Sequence, residues 1–429
     1  MTQGLERKAL ELGEIEAFVA EADRLARVSH AQRNEFLMSR WLPYATPPPE
    51  RGGGVNPFGP AYLQWVMRQW QQASGRGHYA LELEHDANVA ASDEQLQRLY
   101  PFVSGDTQFI ANYMMGVYFA LRLLSDAPNR NVVEYGVGWG NTTVSLMQAG
   151  FNVLAVDIDP KWLSLLKLRA GKLGLDNRLR TLHGQFGDLP AQSPPAGGVV
   201  FYECFHHALN HDDTLARIKH HIVDGGVLLF AAETIYKGFP QPWGLRLDGH
   251  SLWAIRRYGW MELAFSEDYF VMLTRRHNLA LQRHELPEAG PFGVVYKAVR
   301  ADAGVALGRT LLSSTETGFL EPEADPKVLT RFTTGRARLE IPCGAPGVSL
   351  ELKNWLNVPV RCTIKLDGAP AWDDMVPADS QVTALLPHST DGYCRVAEIT
   401  SDTHTPAALG INDDPRHLGI AVGRLRLVA

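Results

Sequence analysis

The sequence predicts an α/β protein in three parts: a helical N-terminal region over residues 1–104, a doubly wound α/β domain over 105–300, and an antiparallel β-sandwich over 301–429. Three observations carry that expectation. Short apolar runs alternate with helical patterns from 131 to 233, an order that builds a parallel sheet with helices on both faces. A glycine-rich turn, VEYGVGWGNTT (133–143), joins the first run to the first helix of that series. Beyond about residue 301 helix signals fade, and short β-rich runs separated by turn residues follow.

Leu5, Ala9, Leu12, Ile15, Phe18, Val19 and Ala22 recur at helical spacing, and helical character resumes over Ala31–Trp41. Residues 43–60, PYATPPPERGGGVNPFGP, hold too much Pro and Gly for a regular element. A helix is expected over Ala61–Gln72, with Tyr62, Trp65 and Trp70. A long buried helix is expected over 106–124, capped by Asp106 or Thr107.

The alternating series begins with NVVEYG (131–136) and helix TTVSLMQAG, followed by FNVLAVDID (151–159). Pro160 opens the next helix with Asp159 as its cap, and Gly174 closes it. RLRTLHGQ and GGVVFYECF give the third and fourth strands. DDTLARIKHHIV is helical, and GVLLFAAE (226–233) is the fifth strand. LALQRHEL (279–286) and GVVYKAVR (293–300) suggest a terminal antiparallel pair. The tail strands are RFTTGRARLEI, VSLELKNWL, VRCTIKLDG, QVTALLP, CRVAEITS and LGIAVGRLRLV.

At 429 residues, two or three domains are expected. The net charge of −6 argues against a nucleic-acid binder. The first thirty residues have no apolar signal-peptide core, and no run approaches the length of a membrane span. Four cysteines, none in a CxxC pair, fit a reducing cytoplasm and give no zinc-ribbon or redox motif.

Gly136, Gly138 and Gly140 are spaced G-x-G-x-G. The dinucleotide fingerprint would need glycine at 141, where Asn stands, and the phosphate-binding lysine of a Walker loop is absent. Glycines permit a sharp turn and close approach of a ligand to the backbone, and the helix start offers free N–H groups. Asp157, 21 residues beyond Gly136, can accept hydrogen bonds from both hydroxyls of a ribose. Glu134 discriminates among ligands. A carboxylate there repels a pyrophosphate but suits the ammonium of a methionine moiety.

On these residues the chain resembles the class I S-adenosylmethionine-dependent methyltransferases over roughly 105–300. Glu134 with Gly136, Gly138 and Gly140 is similar to their first motif. Val156-Asp157-Ile158-Asp159 is similar to the acid after the second strand, HGQFGDLP (183–190) to the adenine-contacting loop, and DGGVLLF (224–230) to the turn before the fifth strand. The resemblance implies a Rossmann-like doubly wound methyltransferase sheet with S-adenosyl-L-methionine as cofactor. It places Gly136 and Gly138 at the methionine end, Asp157 with Ile158 at the ribose, and Gln185 with Phe186 beside adenine. Gln185 departs from the family, which commonly has an acid there; Asp188 is the alternative.

Methyl transfer to a hydroxyl needs a base. The fourth strand ends in YECFHHALNHDD (202–213), where His206, His207, His211 and Glu203 are the candidates. Were the segment helical, Glu203, His207 and His211 would share a face, which could also hold a divalent metal. No recognised metal spacing is present, and no metal is expected. Glu203 also borders the expected cofactor site, and Glu233 ends the fifth strand. In the insertion at 240–260, Trp243, Trp253 and Trp260 offer flat faces for a sugar ring, with Arg246, Asp248 and His250 to bond its hydroxyls; packing is at least as good a reading for Trp253 and Trp260, and Trp243 is the better candidate.

The tail stretch 405–420 resembles β-sandwich modules fused to bacterial enzymes of surface-polysaccharide assembly, which implies a saccharide or glycolipid acceptor. The expectation is therefore a cytoplasmic methyltransferase acting on a saccharide hydroxyl, with homo-oligomerisation left open. The rivals are a non-catalytic glycan-binding or assembly subunit with a vestigial cofactor fold, and an NAD-dependent sugar-modifying enzyme.

Overall fold

The structure, a computed structural model, describes residues 7–44, 56–85, 96 and 106–428. Leu5 and residues 45–55 of the Pro/Gly-rich stretch lie outside the described residues. At the centre is a seven-stranded sheet of β1 (Asn131–Tyr135), β2 (Asn152–Asp157), β3 (Leu179–His183), β4 (Ala196–Tyr202), β5 (Ile222–Ala231), β6 (Leu279–Glu285) and β7 (Val294–Arg300). The spatial order is β3-β2-β1-β4-β5-β7-β6. β1 to β5 run parallel, and β7 enters antiparallel between β5 and β6. The order reverses between β1 and β4, so a crevice opens at their carboxyl ends. Every residue of β4 is buried, as expected for a strand covered on both faces.

Among the described residues, helices α1 (Ile15–Ala26), α2 (His30–Met38), α3 (Pro60–Ser74) and α4 (Thr107–Leu123) precede the sheet, and α5 (Asn141–Gln148), α6 (Pro160–Lys172), α7 (His211–Ile218), α8 (Gly249–Tyr258) and α9 (Glu267–Arg276) alternate with or follow its strands. The expected caps are in place. Asp106 accepts from the Phe109 amide and Asp159 from the Lys161 amide, while Gly174 ends α6 at φ +67°. Two expectations need correction. α4 is buried only along Tyr113, Gly116, Val117 and Ala120, and Tyr118 is 53% exposed. The N-terminal helix starts at Ile15 rather than earlier, because Lys8–Ala9 pairs as a strand with Arg40–Trp41.

α1, α2 and α3 all pack on α8, which belongs to the insertion after β5. The insertion also forms a small sheet of Ile235–Tyr236, Trp243–Leu245 and Leu263–Ser266. Phe18, Trp65 and Trp70 of the N-terminal region, Trp243 and Leu252 of the insertion, and Phe201 and Phe230 of the main sheet share one apolar core.

The C-terminal part is an antiparallel sheet that nearly closes on itself. Its two end strands, Ala369–Val376 and Ser380–Pro387, also lie next to each other. Ala369–Val376 was not expected, since seven of its eight residues are partly or fully exposed and show no alternation. This part docks on α9. Arg275, 1% exposed, donates to Glu316 Oε1 at 2.7 Å and to the Glu340 carbonyl at 2.7 Å. Tyr393 stacks on Tyr269 and also meets Phe58 of the N-terminal region.

Candidate active site

β1 ends at Tyr135, and the chain turns through Gly136, Gly138 and Gly140 at φ 63°, 46° and 78° before α5. The three glycines serve different purposes. A Cβ on Gly136 would stand 2.7 Å from Cys204 Cβ, and one on Gly140 would stand 2.6 Å from Leu166 Cδ1; one on Gly138 would meet nothing within 4 Å. Gly136 and Gly140 therefore allow close packing, while Gly138 borders open space. The Gly138 amide donates to Asp157 Oδ2 at 3.3 Å, and the Asp159 amide to Asp157 Oδ1 at 2.8 Å. Burial raises the Asp157 pKa to about 6, against these two bonds.

Glu134, 2% exposed, has a pKa raised to about 8, chiefly by burial and further by Asp157. Its Oε2 has no hydrogen-bond partner among the described residues. Thr143 opposes the rise in pKa, and Glu134 is not among the residues that line the cleft; an ammonium would supply the donor that its Oε2 lacks.

The crevice is a cleft of about 340 Å³. Gly136, Gly138, Asp157, Ile158, Gln185 and Phe186 all line it, together with Trp162 from α6; Gly140 does not. Asp188 is not among its lining residues, since it accepts from the Gln185 amide and pairs with Arg217. The remaining wall includes Glu203 and His207 from the turn after β4, Tyr79, Leu81 and Glu84 from the N-terminal region, and Trp260 after α8.

The turn after β4 is shaped by Glu233. Its Oε1 accepts from the amides of Cys204 and Phe205 at 2.8 and 2.7 Å, and its Oε2 meets His206 Nδ1 at 2.9 Å. Glu233 is thus held as a carboxylate by His206 and these amides despite complete burial. Glu203 adopts φ +55°, a backbone conformation uncommon outside glycine. Its side chain is open to the cleft yet crowded, and desolvation followed by the Glu233 charge raises its pKa to about 7. Burial alone would lower the His207 pKa, but Glu84, at 3.0 Å from Nδ1, raises it to about 9. Glu84 is fixed in turn by Tyr79 Oη and the Met261 amide.

Several expected site residues fall elsewhere. The 202–213 segment is not one helix. A short turn covers Phe205–His207 and α7 starts only at His211, so Glu203, His207 and His211 share no helical face. His211 is a core residue. It meets the Ala208 carbonyl and Tyr269 Oη, its ring packs on Trp243 at 4.7 Å, and burial lowers its pKa to about 4. His206 is buried behind the cleft wall on Glu233. Trp243, 3% exposed, packs on Tyr62 and donates to the Pro57 carbonyl, so it offers no face to a sugar. Arg246 pairs with Asp248 and Glu262, and Asp248 caps α8 through the His250 and Ser251 amides. Arg246, Asp248 and His250 do not line the cleft. Glu84, Tyr79, Leu81 and Trp162 line the cleft without having been expected there, and of these only Trp162, in the first turn after the Asp157 strand, has a local signal; Trp260, a candidate ring face in the insertion, does line it.

The strand order, the antiparallel seventh strand and the glycine loop define a class I methyltransferase fold. Residues 133–230 match the family model described as a methyltransferase domain, and the cofactor of that domain is S-adenosylmethionine. That match sets aside the NAD-dependent reading. The chain is 27% identical over 113 residues to an uncharacterized methyltransferase of Geobacillus thermodenitrificans, covering 26% of this chain and 50% of the relative. A second, from Geobacillus kaustophilus, is 29% identical over the same length and with the same coverage. The chain thus spans about half the length of the curated relatives it matches. Among solved structures, a geranyl diphosphate methyltransferase in complex with S-adenosylmethionine is similar at 18% identity and TM-score 0.38, covering 50% of this chain and 97% of that one. The magnesium protoporphyrin IX methyltransferase of Synechocystis PCC 6803 is similar at 15% identity and TM-score 0.35, covering 48% and 90%.

Proposed function

We propose that the protein transfers a methyl group from S-adenosylmethionine to a hydroxyl of a saccharide or glycolipid, in the assembly of a bacterial cell-surface polysaccharide in the cytoplasm. The observation that carries this reading is the composition of one cleft. It joins the glycine loop and Asp157 to a wall of carboxylates, an imidazole and aromatic rings. When bound, S-adenosylmethionine supplies a methyl group made electrophilic by its sulfonium. Glu134 meets the ammonium, Gly136 and Gly138 admit the methionine end, Asp157 and Ile158 hold the ribose, and Gln185 and Phe186 flank the adenine.

Glu203 takes the acceptor proton, since its carboxyl opens on the cleft beside Gly136 and His207. His207, held by Glu84, stands on the cleft wall beside Glu203 and shapes the acceptor side. Trp260 and Tyr79 offer ring faces beside carboxylates, a combination that suits a sugar. The resemblance of the tail to polysaccharide-assembly modules supports the same acceptor class.

Calorimetry with S-adenosylhomocysteine tests the donor half, and Asp157→Ala should weaken that binding by about 1–3 kcal/mol. Absence of binding at millimolar ligand overturns it. A glycan panel read by mass for a methyl gain tests the acceptor half. Glu203→Gln should bind S-adenosylhomocysteine normally and lose turnover at least a hundredfold.

A further inference from the structure

At the cleft wall, His207, which lines it, and His206 and Glu262 behind it each bring one potential ligand atom within 4.8 Å of the others. These residues come from two parts of the fold. The histidines sit in the turn after β4, and Glu262 immediately precedes the Leu263–Ser266 strand of the insertion. We propose that His206, His207 and Glu262 bind one divalent transition-metal ion, of the zinc or cobalt type, which fastens the insertion to the β4 turn and fixes His207 against the cleft.

Three observations support the site. Each imidazole already has Nδ1 beside a carboxylate, His206 at 2.9 Å from Glu233 and His207 at 3.0 Å from Glu84. Outer carboxylates of this kind orient metal-bound imidazoles and leave the second ring nitrogen free. The two rings lie 4.3 Å apart between centroids, tilted by 39°, so both imidazoles border the same small volume. The surroundings also carry an excess of negative charge. Glu84, Glu203, Glu233 and Glu262 interact across this wall, where Arg246 lies 3.8 Å from Glu262 Oε2. A dication offsets that excess where water is scarce. Two imidazoles and one carboxylate are a ligand set that suits zinc and its neighbours, and it leaves coordination positions for water.

The site is independent of the methyl donor, and its test is separate. Full-length protein treated with chelator and dialysed is titrated with Zn²⁺ by calorimetry and with Co²⁺ by visible absorption. One equivalent is expected, with visible bands of a low-coordinate Co²⁺ complex. Glu262→Gln and His207→Gln should each weaken binding at least tenfold while retaining S-adenosylhomocysteine affinity, which reports an intact fold. Failure to bind either ion at millimolar concentration, or an affinity changed less than threefold by Glu262→Gln, overturns the proposal. Loss of S-adenosylhomocysteine binding by the unmutated protein would instead strike the methyl-transfer reading and leave the metal result standing.

Discussion

Glu84 Oε2 stands 3.0 Å from His207 Nδ1, joining the N-terminal region to the turn after β4 across the cleft. Residues 133–230 therefore do not complete the cleft wall by themselves. Glu84→Gln removes the charge and keeps the shape. Turnover should fall at least tenfold or acceptor KM rise by as much, with S-adenosylhomocysteine affinity within twofold of the parent. Steady-state kinetics and calorimetry on one preparation decide this.

Glu134 gives a pH signature. Its folded-state pKa of about 8 lies above the ordinary 4.5, so near pH 7 the carboxyl holds its proton until a ligand ammonium arrives. Binding of S-adenosylhomocysteine should then release close to one proton at pH 7, seen as a dependence of binding heat on buffer ionisation enthalpy. Affinity should rise from pH 6 to pH 8. Glu134→Gln should abolish the release. In the free protein the same raised pKa stabilises the fold below pH 4.5, and that contribution is lost as pH rises to about 8, because the unfolded chain ionises first.

The three loop glycines should separate under substitution by alanine. Gly138→Ala meets open space, so the stability loss is the left-handed backbone penalty of about 1–2 kcal/mol, while S-adenosylhomocysteine affinity drops a hundredfold or more. Gly140→Ala drives a methyl to 2.6 Å from Leu166 Cδ1 and should lower the melting temperature more than Gly138→Ala does. Thermal melts and calorimetry distinguish the two patterns.

Two tryptophans of the insertion should behave oppositely. Trp243→Ala empties a buried site and should destabilise by about 3–5 kcal/mol, with acceptor KM unchanged in the folded fraction. Trp260→Ala should leave the melting temperature within a few degrees and raise acceptor KM. A shared pattern would remove Trp260 from the acceptor wall.

Arg275→Met leaves the Glu316 carboxylate buried without its guanidinium. Unfolding free energy should fall by about 3–5 kcal/mol, measured by denaturant titration. Adding Glu316→Gln should recover part of that loss.

The sequence by itself determined the elements whose information is local. Apolar runs marked β1, β2, β4 and β5, because parallel strands buried on both faces must be apolar; β3, at the sheet edge, has no buried residue and was marked by its place in the alternation. Asp159-Pro160 and Gly174 fixed the ends of α6, because caps act within one turn. The glycine spacing and Asp157 marked one wall of the cleft, since a sharp turn that leaves its backbone open must be written in glycines. Tertiary structure alone decided the opposite wall. Glu84 reaches His207 from 123 residues away in sequence, and no local pattern encodes that meeting. The same holds for the polar residues the sequence suggested. His211 and Trp243 have the composition of a binding site, yet they face each other in the core, where burial and aromatic packing claim them. Residue type states what a side chain can do; whether it meets the cleft or the core depends on long-range packing that no single stretch of the chain contains.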